Sequence, residues 1–179
     1  DAHTLHYLIK LAAVFGAGLC MGFGAIGASY GIGSTARGAI EGLARQPKVS
    51  GELTKTMLIG QAVTESPSIF ALVTAILLLF YEPKIPHITP QSTNLLEIYG
   101  KCFSHAFALI GAGISMGFGA LGPGIGDGIG SEGGCIAVAR TPEERSSIMR
   151  TMLTGQATAQ STSVYAFVVS LCLIFLTAV

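Results

Sequence analysis

The stretch GAGLCMGFGAIG at residues 16–27 recurs as GAGISMGFGALG at residues 111–122, an offset of 95 positions. The same offset, without a gap, places TMLIGQA (56–62) over TMLTGQA (151–157). Self-similarity at a fixed period indicates a duplicated structural unit. In each unit a short polar connection separates two apolar segments, so the sequence predicts a helical hairpin that is repeated in tandem.

Charge is scarce, which points to a membrane protein. Of the 179 residues only ten are acidic and ten basic, and mean hydropathy is +0.62. Soluble domains have about a quarter charged residues, and a neutral chain has no field to hold nucleic acid. Uncharged segments of the roughly 20 residues that span a bilayer predict an all-α protein with four transmembrane helices, at 11–36, 56–81 (with Glu65 inside), 102–126 and 151–179.

The basic residues predict the orientation of the hairpins. Seven of the ten flank the two short connections, namely Arg37, Arg45, Lys48, Lys55, Arg140, Arg145 and Arg150. The positive-inside rule places these connections in the cytoplasm and both termini on the opposite side. We therefore expect a first hairpin at 1–81, a proline-rich non-cytoplasmic linker at 82–100 and a second hairpin at 101–179, in a bacterial-type plasma membrane.

Glycine is concentrated in the first helix of each hairpin. Twenty of the 24 glycines lie in residues 16–42 and 111–134, and they recur on more than one helical face. Small residues allow helix backbones to approach closely. These helices are therefore expected to form the crowded inner wall of a ring or bundle.

Glu65 is the main candidate for a functional residue. A carboxylate at this depth costs about 2.5–3.5 kcal/mol on insertion, so its default interpretation is functional. Spacing by three and four residues puts Gln61, Glu65 and Ser68 on one helical face. The fourth helix has a matching stripe of Gln156, Gln160 and Ser163. Polar contacts that only hold helices together are the alternative.

The second repeat differs at two related positions. Gln160 stands where the first repeat has Glu65, and Asp127 replaces Ile32. At 1.5 Å per residue, Asp127 and Gln160 lie about 20 and 27 Å from the turn, and we predict that they are neighbours. The second hairpin would then hold its acid on the inner helix and its amide on the outer one. The alternative is that Asp127 is an interfacial acid near a helix end.

Pro67 creates a backbone acceptor in the second helix. Because proline has no N–H, the carbonyl of Val63 loses its helical partner. A free carbonyl beside Glu65 and Ser66 supplies the oxygen ligands of a cation site. A simple helix kink is the alternative, and the two are compatible.

The combination GIGSTARGAIEGLARQP (31–47) with GQAVTES (60–66) resembles the c subunit, or proteolipid, of F-type rotary ATP synthases. The tandem four-helix form is similar in size to V-type proteolipids. The resemblance implies a rotor ring with glycine-rich helices inside and acid-bearing helices outside. The ring would couple ion flow to rotation and to ATP synthesis or hydrolysis, with no catalysis of its own and no cofactor apart from the transported H+ or Na+.

The resemblance also implies partners and roles. Glu65 would bind the ion, stay neutral while it faces lipid and ionise opposite an arginine of the stator a subunit. Arg45, Gln46 and Pro47 match the loop that docks the central stalk, whereas Arg140 belongs to a partial match. Membrane lipid surrounds such rings. Whether single-hairpin c subunits share the ring stays open.

In Na+-type members of the family, the site includes further ligands. Around Glu65, Ile32 replaces the expected Gln, and a neighbouring hairpin would supply the Thr158 carbonyl, Ser161 and Tyr165. A second site would combine Asp127 and Gln160 with three groups of the first hairpin, namely the Val63 carbonyl, Ser66 and Phe70, the last replacing a Tyr. H+ and Na+, and one or two ions per chain, both stay open.

Three other functions remain as alternatives. A small proton-coupled transporter or channel would use Glu65 but would not need the Arg45-Gln46-Pro47 loop or duplicated glycine helices. A structural membrane bundle would leave Glu65 and Asp127 inert. A V-type ATPase proteolipid is a close relative of the leading prediction.

Overall fold

The computed structural model describes residues 2–82 and 95–176, with side chains for residues 4–82 and 98–176. These residues form two pairs of long helices, and each pair is joined by a short 3-10 turn. The helices are α1 (Ala2–Arg45), α2 (Ser50–Leu79), α3 (Leu95–Arg140) and α4 (Arg145–Leu176), and the turns are Pro47–Val49 and Pro142–Glu144. The predicted all-α fold of two tandem hairpins is confirmed.

The expected linker at 82–100 falls only partly within the described residues. Helix α3 already begins at Leu95, so the last part of that segment is helical. The prolines expected to stop α2 and extend the linker, Pro83, Pro86 and Pro90, lie outside the described residues. The division of the chain at residues 82–100 therefore stays a prediction.

Each of the four helices found in the described residues is long and apolar enough to cross a membrane. Helices α1 and α3 contain 44 and 46 residues, which at 1.5 Å per residue is about 66–69 Å. That is more than twice the roughly 30 Å hydrocarbon core of a bilayer, so both helices extend beyond it. Large apolar side chains also cover the outside of the chain, among them Leu11, Phe15, Ile26, Leu72, Val73, Ile76, Val164, Val168 and Phe175. The chain is an integral membrane protein.

The two turns have the same geometry in both repeats. The amide of Gln46 donates to the Gly42 carbonyl at 2.9 Å, and the amide of Thr141 donates to the Ala137 carbonyl at 3.0 Å. A proline follows Gln46 and Thr141, where its fixed φ suits the first position of a new helix. The side chains of the turns differ between repeats, but their backbone path does not.

Helices α1 and α3 pack side by side through glycine. A Cβ atom on Gly16 would lie 2.6 Å from the Leu109 carbonyl oxygen, and one on Gly27 would lie 2.6 Å from Leu121 Cα. Gly38 meets Glu132 in the same way. At these three glycines of α1 the facing residues are 93 or 94 positions apart, so the two helices run parallel and in register. Close backbone approach explains why this layer contains most of the glycines.

Helices α2 and α4 form a second layer on the first. Helix α2 lies against both α1 and α3, since a Cβ on Gly24 would meet Ala71 Cβ at 2.6 Å and one on Gly60 would meet Ser131 Cβ at 2.8 Å. Helix α4 packs on α3, where Ser170 Oγ donates to the Ala112 carbonyl at 2.9 Å. Helix α2 therefore contacts both glycine-rich helices, α1 and α3, whereas one side of α4 is open.

Ion pairs tie the elements together at both ends. Arg145 Nη1 lies 2.8 Å from Glu52 Oε2 and so joins the two hairpins near the turns. At the opposite end, Lys10 Nζ lies 2.9 Å from Glu82 Oε1. The hydrogen bond and the charge of Lys10 hold the pKa of the Glu82 carboxyl below its usual value. Exposed pairs of this kind contribute little to stability.

Candidate functional site

The amide of Gln160 joins three helices. Its Nε2 donates to the Val63 carbonyl of α2 at 2.8 Å and to Asp127 Oδ2 of α3 at 3.1 Å. Asp127 is only 1% exposed. A buried carboxyl, a side-chain amide and a backbone carbonyl therefore meet between the two hairpins of one chain.

The local sequence explains why these groups are available to one another. Pro67 removes the helical N–H that would otherwise bond the Val63 carbonyl, and Gln160 supplies the donor instead. On α3, Gly124 and Gly128 lie against Gly27 and Gly31 of α1, which brings the backbone around Asp127 into the glycine layer.

A second amide supports the Asp127 backbone. Gln156 Nε2 donates to the Asp127 carbonyl oxygen at 3.0 Å and to Ser131 Oγ at 2.7 Å. Gln156 belongs to the predicted polar stripe, whereas Ser131 was not predicted as a member of the site. The sequence feature that could have identified Ser131 is a difference between the repeats, because Ser131 stands where the first repeat has Ala36.

Two buried acceptors of this cluster are unpaired within the described part of the chain. They are Asp127 Oδ1 and Gln156 Oε1. Both residues line an open groove of about 610 Å³ between α3 and the free side of α4. Buried polar atoms normally have a hydrogen-bond partner, so each exception points to an absent donor or ion.

The first repeat has the equivalent amide contact but a different acid. Gln61 Nε2 donates to the Ile32 carbonyl at 3.3 Å, which is the counterpart of the bond from Gln156 to Asp127. The side chain of Glu65 lies at the surface of the single chain, and Ser68 Oγ donates to its backbone oxygen at 2.7 Å. Glu65 is thus placed at an open edge of the first hairpin.

The groups expected to complete the Glu65 site lie on the opposite edge of the chain. Ser161 Oγ donates to the Thr158 carbonyl at 2.8 Å, and Tyr165 is 66% exposed. By the repeat, Ser161 corresponds to Ser66 and Gln160 to Glu65. Because Gln160 faces the first hairpin, Glu65 faces away from the second hairpin, and a single chain does not bring Glu65 and Tyr165 together.

Ser66 and Phe70 make no described bond to the Asp127 cluster. Ser66 Oγ donates to the Ala62 carbonyl of its own helix at 3.5 Å. The Phe70 ring packs against Phe167 of α4, with centroids 5.4 Å apart. The structure therefore assembles three of the five predicted members of this site.

The residues of the predicted docking loop are exposed at the end of the molecule that contains both turns. Arg45, Gln46 and Pro47 are exposed, as is Arg140. Arg45 Nη2 also bonds Glu41 Oε1 at 2.6 Å, which fixes part of its orientation. This end presents the surface with the most basic residues.

Comparison with known proteins supports the repeat and the family. The family model for the ATP synthase c subunit matches twice, at residues 15–78 and 110–173. The ATP synthase c subunit of Petrotoga mobilis is 49% identical over 79 residues, which cover 44% of this chain and 79% of that protein. That of Prochlorococcus marinus (strain AS9601) is 49% identical over 76 residues, or 42% of this chain and 94% of that protein. The chloroplastic ATP synthase c subunit of Porphyra purpurea is 45% identical over 78 residues, or 44% of this chain and 95% of that protein. With both of its hairpins matched, this chain belongs to the family of ATP synthase c subunits.

Proposed function

We propose that this chain is a non-catalytic, ion-carrying subunit of the rotor ring of a rotary ATP synthase, in which H+ or Na+ moves on buried carboxylates and couples ion flow to rotation. The observation that supports this most directly is the Gln160 amide, which bridges Asp127 Oδ2 and the Val63 carbonyl. It joins two hairpins around an acid in the way that a ring would join successive hairpins.

Glu65 is the second carrier, at a site that forms between copies. Its position at one open edge, and that of Thr158, Ser161 and Tyr165 at the other, allow the next copy to cover it. A carboxyl that faces lipid favours its neutral form, and a nearby cation restores its charge. A stator arginine would provide that cation, so Glu65 would release its ion there.

The geometry around Asp127 bears on the choice of ion. A proton on Oδ1, which is unpaired within the described residues, would leave both hydrogen bonds of Gln160 in place. Na+ prefers oxygen ligands, as other hard cations do, so Gln160 would have to turn its own oxygen toward the site. The present arrangement therefore suits a proton directly and Na+ after one amide rotation.

The orientation and the docking surface complete the proposal. The excess of basic residues near the turns supports a cytoplasmic position for both turns, with the linker on the other side of a bacterial-type plasma membrane. Arg45, Gln46, Pro47 and Arg140 would then face the central stalk. The two hairpins, divided within residues 82–100, would act as two adjacent units of the ring.

The Asp127→Asn substitution tests whether Asp127 carries an ion. Asn keeps the shape and an acceptor for Gln160 but has no charge to exchange, so the ring stalls whenever this position reaches the stator. We expect ATP-driven ion uptake by proteoliposomes containing the whole synthase to fall about tenfold or more, equivalent to an added barrier of about 1.4 kcal/mol. Parallel assays of ²²Na+ uptake and acidification, with and without a protonophore, distinguish Na+ from H+.

The matched variant is the exchange Asp127→Gln with Gln160→Glu, which puts the acid on α4 and the amide on α3. It retains one acid and one amide, and we expect it to restore uptake. Native mass spectrometry of the ring controls for assembly in both variants. Full uptake by Asp127→Asn would reduce the proposal to a single site at Glu65.

A further inference from the structure

Two residues of opposite charge occupy equivalent positions in the repeats. Arg37 on α1 and Glu132 on α3 are 95 residues apart, and Arg37 Nε lies 3.7 Å from Glu132 Oε1. The Glu132 side chain is 21% exposed and that of Arg37 is 77% exposed. Gly38 allows this approach, because a Cβ there would lie 2.6 Å from the Glu132 carbonyl oxygen.

The outer faces of α1 and α3 carry glycines equivalent to those that form the contact between the two helices. Gly27, Gly31 and Gly38 of α1 face α3, and their equivalents on α3 have nothing within 4 Å among the described residues; these are Gly122, Gly126 and Gly133. Likewise Gly113, Gly117 and Gly128 of α3 face α1, and their equivalents on α1 are open within the described chain: Gly18, Gly22 and Gly33. The open face of α3 is therefore equivalent to the face of α1 that packs on α3, and the open face of α1 to the face of α3 that packs on α1, so the two open faces can pack together.

The open edge of α3 also contains unsatisfied polar atoms. Asp127 and Gln156 are 1% and 2% exposed, and each has a side-chain oxygen unpaired within the described residues. Both line the groove beside α3 and α4. Buried polar atoms normally have a hydrogen-bond partner, and a neighbouring chain that fills this groove would lie beside both oxygens.

We propose that the occupant of this edge is a second copy of the chain, docked head to tail so that its Arg37 pairs with Glu132 of the copy before it. This inference rests on the proposed rotor function and adds the ion pair that selects the neighbouring subunit. Repetition of the contact makes a belt in which arginine and glutamate alternate, and each charge lies between two opposite charges. A neighbour without a base at this position would leave Glu132 with its internal partner alone.

Charge reversal tests the belt. Arg37→Glu and Glu132→Arg each place like charges together within a chain and between chains. Like-charge juxtaposition is strongly unfavourable, so we expect each variant to lower the yield of intact ring about tenfold, measured by native mass spectrometry of the detergent-solubilised complex. The exchange Arg37→Glu with Glu132→Arg should restore the yield.

Co-expression of the two single variants isolates the contact between copies. Each variant retains its internal repulsion, but Glu132 of one meets Arg37 of the other, and the reversed pair is likewise opposite in charge. We expect rings with equal numbers of the two variants. Arg150→Glu, a reversal on exposed α4, is the control and should leave the yield unchanged.

Two outcomes would overturn the inference. They are single variants that assemble as well as the original chain, and rings in which single-hairpin subunits occupy the places beside each copy. Ring mass is independent of ion carriage. A complex that assembles as predicted but does not transport would therefore count against the proposed function and not against the belt.

Discussion

Glu65→Gln is expected to abolish ATP-driven ion uptake by the assembled synthase, leaving only the background of vesicles without ATP. Gln is similar in shape but cannot ionise, so it can neither release an ion opposite a stator arginine nor take one up. The side chain lies at the open edge of the first hairpin, and the loss of its charge removes no described contact. Uptake and ATP hydrolysis are measured on the same proteoliposomes.

Glu82→Gln is the matched control for this substitution. Glu82 is an exposed acid paired with Lys10 beyond the end of α2, and its replacement should leave uptake near the original rate. Normal uptake in the Glu65→Gln variant would remove Glu65 from the transport pathway. Loss of uptake together with loss of the ring would indicate a structural role instead.

Gly27→Val is expected to cause the largest loss of stability. A Cβ at this position would lie 2.6 Å from Leu121 Cα, and backbone cannot yield as a flexible side chain can. Overpacking typically costs about 1–3 kcal/mol and occasionally more, and we expect the upper part of that range. The free energy of unfolding is measured by circular dichroism as the chain is titrated with a denaturing detergent.

Gly51→Val separates this packing effect from the general effect of replacing glycine in a helix. Gly51 lies in the first turn of α2, and a Cβ there would have nothing within 4 Å among the described residues. Its replacement should change the free energy of unfolding by less than about 1 kcal/mol. Equal losses at both positions would contradict the close contact between α1 and α3.

The repeat made the fold predictable, because a constant offset means that both halves of the chain form the same structural unit. The ends of the helices were harder to predict. Charge marked the predicted spans, yet α1 runs through Arg37 to Arg45 and α3 starts at Leu95, since a helix does not end where the bilayer does. The pairing of Arg37 with Glu132 was visible only as a charge difference between repeats, and its contact depends on tertiary packing.

At the candidate site, distance along the helices was enough to place Asp127 beside Gln160. The loss of a backbone donor at Pro67 was enough to identify the Val63 carbonyl. The directions of side chains were not predictable in this way, and Ser66 bonds its own helix instead. The groups that we propose to cover Glu65 are exposed at the other edge of the chain, so a single chain does not show that contact.

Carbodiimide labelling of the assembled complex tests most directly whether Glu65 carries the transported ion. The reagent modifies protonated carboxyls, and peptide mass spectrometry locates the product with and without Na+. We predict modification at Glu65 and a loss of transport larger than the modified fraction, because one modified copy stalls the whole ring. Protection by Na+ at neutral pH would identify Na+ as the ion, and no protection would identify H+. Complete modification of Glu65 with transport intact would contradict its role as the ion carrier.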